Sequence, residues 1–61
     1  MMTFRTYYNS RSIRLVKTII KNEDLHVILN VFTDALGDDI IEVKGKREDI
    51  KTLKAIYETV A

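Results

Sequence analysis

Residues 25–43, LHVILNVFTDALGDDIIEV, decide how the rest of this chain is placed. As an extended segment, residues 25–33 alternate. Leu25, Val27, Leu29, Val31 and Thr33 point to one side, while His26, Ile28, Asn30, Phe32 and Asp34 point to the other. One side is nearly all apolar and the other is mixed, the signature of a half-buried strand. Leu, Val, Ile and Phe also suit a pleated surface. The following run, DALGDD around Gly37, is made of turn-forming residues. Ile40, Ile41 and Val43 then resume the extended pattern, so the stretch reads as a hairpin.

A helical reading of the same residues competes. At roughly 100° per residue, the apolar side chains of residues 25–36 fall within about 200°. Glu23 and Asp24 would lie at the N-terminus of such a helix, and Gly37 would close it. Against it, Asp34, Asp38 and Asp39 would crowd the negative end of its dipole. His26, Val27, Asn30, Val31, Phe32 and Thr33 are also only moderate helix formers. The strand is the preferred reading and the helix stays open as its alternative.

Upstream, residues 2–8 read as a short strand, with Met2, Phe4, Thr6 and Tyr8 on one face and Thr3, Arg5 and Tyr7 on the other. After Asn9, either Ser10 or Ser12 is suited to cap a helix. Ile13, Leu15, Val16, Ile19 and Ile20 occupy an arc of about 160°, opposite Arg11, Arg14, Lys17 and Lys21. The two apolar arcs do not line up in one helix, so a break is needed near Asn22. Downstream, residues 40–44 form a strand that Gly45 ends, and residues 46–60 form a helix. Ile50, Leu53, Ile56, Tyr57 and Val60 fall within about 120° there. Glu48 and Asp49 sit in its first turn, where the dipole favours acids.

The expected fold is therefore a single α+β domain over residues 1–61, a three-stranded sheet with two helices on one face, in the order βαββα. The alternative, ββαβα, makes residues 12–20 a strand and 24–36 a helix.

The chain of 61 residues has no cysteine, so neither a disulfide nor a thiolate zinc site supports it. A domain of this size buries only about 60% of its unfolded surface, which makes association with another chain an expected source of stability. No apolar run approaches the about 18 residues of a membrane span, and the N-terminus lacks the core of a secretory signal. A cytoplasmic setting is the expectation. The net charge of +1 conceals segregation. Residues 1–21 carry five bases and no acid, and residues 22–42 carry six acids and no Lys or Arg.

Catalytic and metal signatures are weak. His26 is the single histidine. Asp34, Asp38 and Asp39 match no calcium loop, and VKGKRED lacks the first glycine and the Ser or Thr of a phosphate-binding loop. The expectation is a protein that is not an enzyme and holds no cofactor or metal. The closing segment, IIEVKGKREDIKTLKAIYETV, loosely resembles the last strand and helix of KH domains, without their Gly-X-X-Gly loop. It also has some likeness to the final hairpin and helix of the DinI-type regulators of recombinase filaments, whose helix is acidic where this one is mixed. The likeness covers roughly 20 residues and rests mainly on one glycine and an apolar period, which any strand, turn and amphipathic helix would share, and no family is assigned on it.

Two functional expectations follow. If Leu25, Val27, Leu29, Val31, Ile41 and Val43 face the helices, then Tyr7, Ile28, Phe32 and Ile40, with His26, lie on a sheet face that nothing in the chain covers. Such a patch marks a protein interface, with a twofold homodimer its simplest form. The function expected first is a small interaction or regulatory protein acting as a homodimer or on a larger partner. The second is a nucleic-acid-binding module in which Arg5, Arg11, Arg14, Lys17 and Lys21 meet phosphates and nearby tyrosines stack on bases.

Overall fold

A computed structural model describes residues 1–61, in the order β1 (Met2–Tyr7), α1 (Ser10–Asn22), β2 (Val27–Thr33), β3 (Asp39–Gly45) and α2 (Arg47–Val60). The deciding stretch is a hairpin. Residues 27–33 are strand and pair antiparallel with β3, from Val27 opposite Gly45 to Thr33 opposite Asp39. This removes the ββαβα alternative, and α1 fills the segment that alternative made a strand. The physical reason lies in the turn. The Asp34 carboxylate accepts from the backbone N–H groups of Leu36 and Asp38, each at 2.9 Å, and Gly37 has φ +86. The Asp34 turn thus starts inside the last turn of the alternative 24–36 helix, and residues 27–33 are extended by pairing with β3, while a left-handed Gly37 suits either reading.

The sheet order is β1-β3-β2, so β3 is central and β1 and β2 are both edges. Both edges run antiparallel to β3 and hence parallel to each other, with α1 as the crossover between them. The break near Asn22 is present. The chain leaves α1 through Asp24, which takes a left-handed φ of 52. Leu25 N–H then bonds back to the Ile20 carbonyl at 3.0 Å.

Two boundary expectations need correction. The cap of α1 is neither Ser10 nor Ser12 but Asn9, extended at φ −156, whose side chain accepts from Ser12 N–H at 2.8 Å. The Ser12 hydroxyl is engaged elsewhere, with Tyr57. The first strand also stops at Tyr7, although Tyr8 N–H still bonds to the Asp39 carbonyl at 2.9 Å.

Both helices pack on the same side of the sheet. Val16 and Ile19 from α1, Ile50 and Leu53 from α2, and Ile41 and Val43 from β3 form the buried core. Met2, Phe4, Leu25, Val27 and Leu29 close around it. Tyr57 ties three elements together. Its ring meets Phe4 edge-on at 5.3 Å, its hydroxyl donates to Ser12 Oγ at 3.1 Å, and Thr6 Oγ1 lies 3.3 Å away. Gly45 sits between Met2 and Val27 in the ladder, and a Cβ there would come 2.7 Å from Val27 Cγ1. Coverage is uneven, because α2 lies over β1 and β3. On the helix side of β2, Val31 is still 49% exposed.

A candidate protein interface on the open sheet

Pleating sends alternate residues of each strand away from the helices. The registers arrange them in three rows across β1, β3 and β2: Tyr7–Ile40–Phe32, Arg5–Glu42–Asn30 and Thr3–Lys44–Ile28. No element of the chain covers them. Tyr7 is 66%, Ile28 58% and Phe32 38% exposed, while Ile40, held in the central strand between Tyr7 and Phe32, is half-buried. The four expected interface residues therefore share one face, but Tyr7, Ile40 and Phe32 form one end of it and Ile28 stands apart at the other.

What separates them is a polar row that corrects the expectation of a continuous apolar patch. Glu42, in the middle of the central strand, is the one buried charged residue of the protein. Its carboxylate accepts from Arg5 Nε at 2.8 Å and lies 2.7 Å from Arg5 Nη2 and 3.4 Å from Lys44 Nζ. The Arg5 hydrogen bond holds the Glu42 carboxyl below its ordinary pKa, against the upward pull of burial, with the charges of Lys44 and Arg5 adding to the lowering. Arg5 also extends over the Phe32 ring, its guanidinium carbon 6.0 Å from the centroid. The period-two pattern of IIEVK contains this signal, since Ile40, Glu42 and Lys44 must share a face. His26 is a second correction: it precedes β2, is exposed, and is no part of the strand face.

Beside this face, Arg5, Thr6, Tyr7, Phe32, Asp34 and Ile40 border an open depression of about 310 Å³. A second, wider groove of about 510 Å³ runs between α1 and β2, with Ile13, Lys17, Leu29 and Val31 in its walls.

The five expected anion-binding residues are not brought together. Arg11, Arg14, Lys17 and Lys21 lie exposed along α1, and the only ion pairs of the protein involve Glu42 with Arg5 and Lys44. Arg5 points from the opposite side of the sheet and is already occupied by Glu42. No cluster of three or more His, Cys, Asp or Glu side chains is placed to hold a metal ion. No helix is long and apolar enough to cross a membrane. No family model, no curated protein and no solved structure matches the chain.

Proposed function

We propose that this chain is a small non-enzymatic interaction or regulatory protein of the cytoplasm, acting as a homodimer or by docking its open sheet on a larger protein. The observation behind this reading is the single-sided helix layer, which leaves Tyr7, Ile28 and Phe32 exposed on the other face of the sheet. Exposed apolar side chains at both ends of such a face, with Tyr7, Ile40 and Phe32 grouped at one of them, suit association with a protein. The Arg5–Glu42–Lys44 cluster adds orientation, because a partner must present matching charges across it. A double variant, Ile28→Ser with Phe32→Ser, tests the reading. Loss of self-association or of partner binding, with an unchanged circular dichroism spectrum, supports it. Retention of both rejects it.

A second reading has its own support: Arg11, Arg14, Lys17 and Lys21 line one side of α1 with no acidic neighbour paired to them. Such a stripe suits contact with phosphates, in a manner weakened by salt. Fluorescence anisotropy with a random single-stranded oligonucleotide at low salt decides it. Binding lost on Arg11→Glu with Arg14→Glu favours this function, and an oligonucleotide that never binds removes it.

A further inference from the structure

We infer that β2 is a self-complementary edge, and that a second copy of the chain pairs with it antiparallel about Asn30 to give one continuous six-stranded sheet. This rests on the interaction reading above and names both the partner and the surface.

Asp34 N–H donates to the Asp38 carbonyl at 2.8 Å, so this pair ends the hydrogen-bonded series between β2 and β3. In an antiparallel ladder such pairs alternate. Phe32, Asn30 and Ile28 therefore turn their backbone groups toward β3. Val27, Leu29, Val31 and Thr33 turn theirs outward, where the sheet has no further strand.

An open edge of this kind is usually defended by a charge, a proline, a bulge or short length. β2 has none of these defences. Its seven residues, VILNVFT, carry no charge, proline or glycine, and they pair with β3 without interruption. The other edge differs, because Arg5 lies midway along β1.

A second copy fits this edge because the strand is a palindrome in character. With Asn30 on a twofold axis, Leu29 faces Val31 of the second copy, Ile28 faces its Phe32, and Val27 faces its Thr33. The outward-pointing residues meet each other, so Leu29–Val31 and Val27–Thr33 form hydrogen-bonded pairs, and their counterparts across the axis do the same. Ile28–Phe32 falls at a non-hydrogen-bonded position, where side chains approach most closely. The three large apolar side chains of β2 that remain exposed, Ile28, Val31 and Phe32, all take part. On the helix side, Val31 and Leu29 of the second copy lie at the mouth of the groove between Ile13 and β2. No charged side chain lies on the paired segment, so the copies meet without repulsion there.

The absence of cysteine makes the register directly readable. At the axis, the two Asn30 Cα atoms are about 4.5 Å apart in this pairing, within disulfide range. The experiment compares wild type, Asn30→Cys, Leu36→Cys and Val31→Lys, by mass in solution and by non-reducing electrophoresis after mild oxidation. Leu36 serves as the control because it is 87% exposed at the loop tip and far from the axis. The expected result is a wild-type mass twice the 7.1 kDa of the chain, halved by Val31→Lys with its circular dichroism retained. Asn30→Cys should cross-link to a dimer at least tenfold faster than Leu36→Cys. A wild type that stays monomeric at several hundred micromolar overturns the β2 pairing, as does equal cross-linking of the two cysteine variants. A dimer that is abolished by Ile28→Ser with Phe32→Ser, yet never cross-links through position 30, overturns the pairing while sparing the sheet-face reading.

Discussion

Glu42 couples the stability of the fold to acid. Its carboxyl titrates below the ordinary range because Arg5 donates to it, with Lys44 close by. Between the folded and unfolded pKa values, the unfolded chain binds more protons at this site, so stability rises with pH there. The contribution is complete above the unfolded value of about 4.3 and disappears as pH falls through the lower folded value. Urea midpoints measured from neutral pH down into this window should therefore fall more steeply for wild type than for Glu42→Gln. Parallel curves would show that the ion pair does not couple to folding. Gly45 is limited by space. A Cβ there would press on Val27 Cγ1 at 2.7 Å and on the His26 carbonyl at 3.3 Å. Gly45→Ala should lower stability by about 1–3 kcal/mol in urea denaturation, the usual cost of overpacking a tight site.

Among the elements, α1 depends on its first turn. Asn9 satisfies the Ser12 N–H, and Asn9→Ala should cost about 1 kcal/mol of unfolding free energy. A change within a few tenths would mean that water replaces the cap without loss. Ser10 and Ser12 are equally good capping types, so residue preference alone does not choose among three neighbours. Asn9 is selected because the chain is still extended there, while Ser12 is drawn toward Tyr57 of α2, a residue distant in sequence. The hairpin combines both kinds of control. Asp34 and Gly37 hold its turn locally, while pairing with β3 makes residues 27–33 strand where the sequence also offers a helical arc.

For the whole molecule, the core is thin. Six buried apolar residues carry it, Leu53 among those fully enclosed. Leu53→Ala should cost about 2–5 kcal/mol, within reach of the entire stability of a small domain. Chemical denaturation followed by circular dichroism would register it as loss of the folded baseline. If the edge pairing supplies part of the stability, the melting temperature of wild type must also rise with protein concentration, by mass action. A melting temperature independent of concentration would mean that each copy stands alone.

Local sequence determined that this is an α+β protein closing on a strand and a helix, because a helix or strand must repeat its apolar residues at the spacing of its own backbone. It left the orders βαββα and ββαβα both open. The helical arcs of residues 13–20 and 50–60 needed no distant partner to be legible, whereas residues 25–33 carry an alternation that a helical arc rivals, and pairing with β3 makes residues 27–33 strand. Even the polar row through Glu42 was implicit in the alternation of Ile40, Glu42 and Lys44. The tertiary structure alone decided that β3 lies in the centre, that Arg5 reaches Glu42 across the face, and that β2 is left as an unguarded edge. Those facts depend on contacts between residues far apart in the chain, such as Arg5 with Glu42 or Ser12 with Tyr57, and local periodicity carries no information about which distant segments meet.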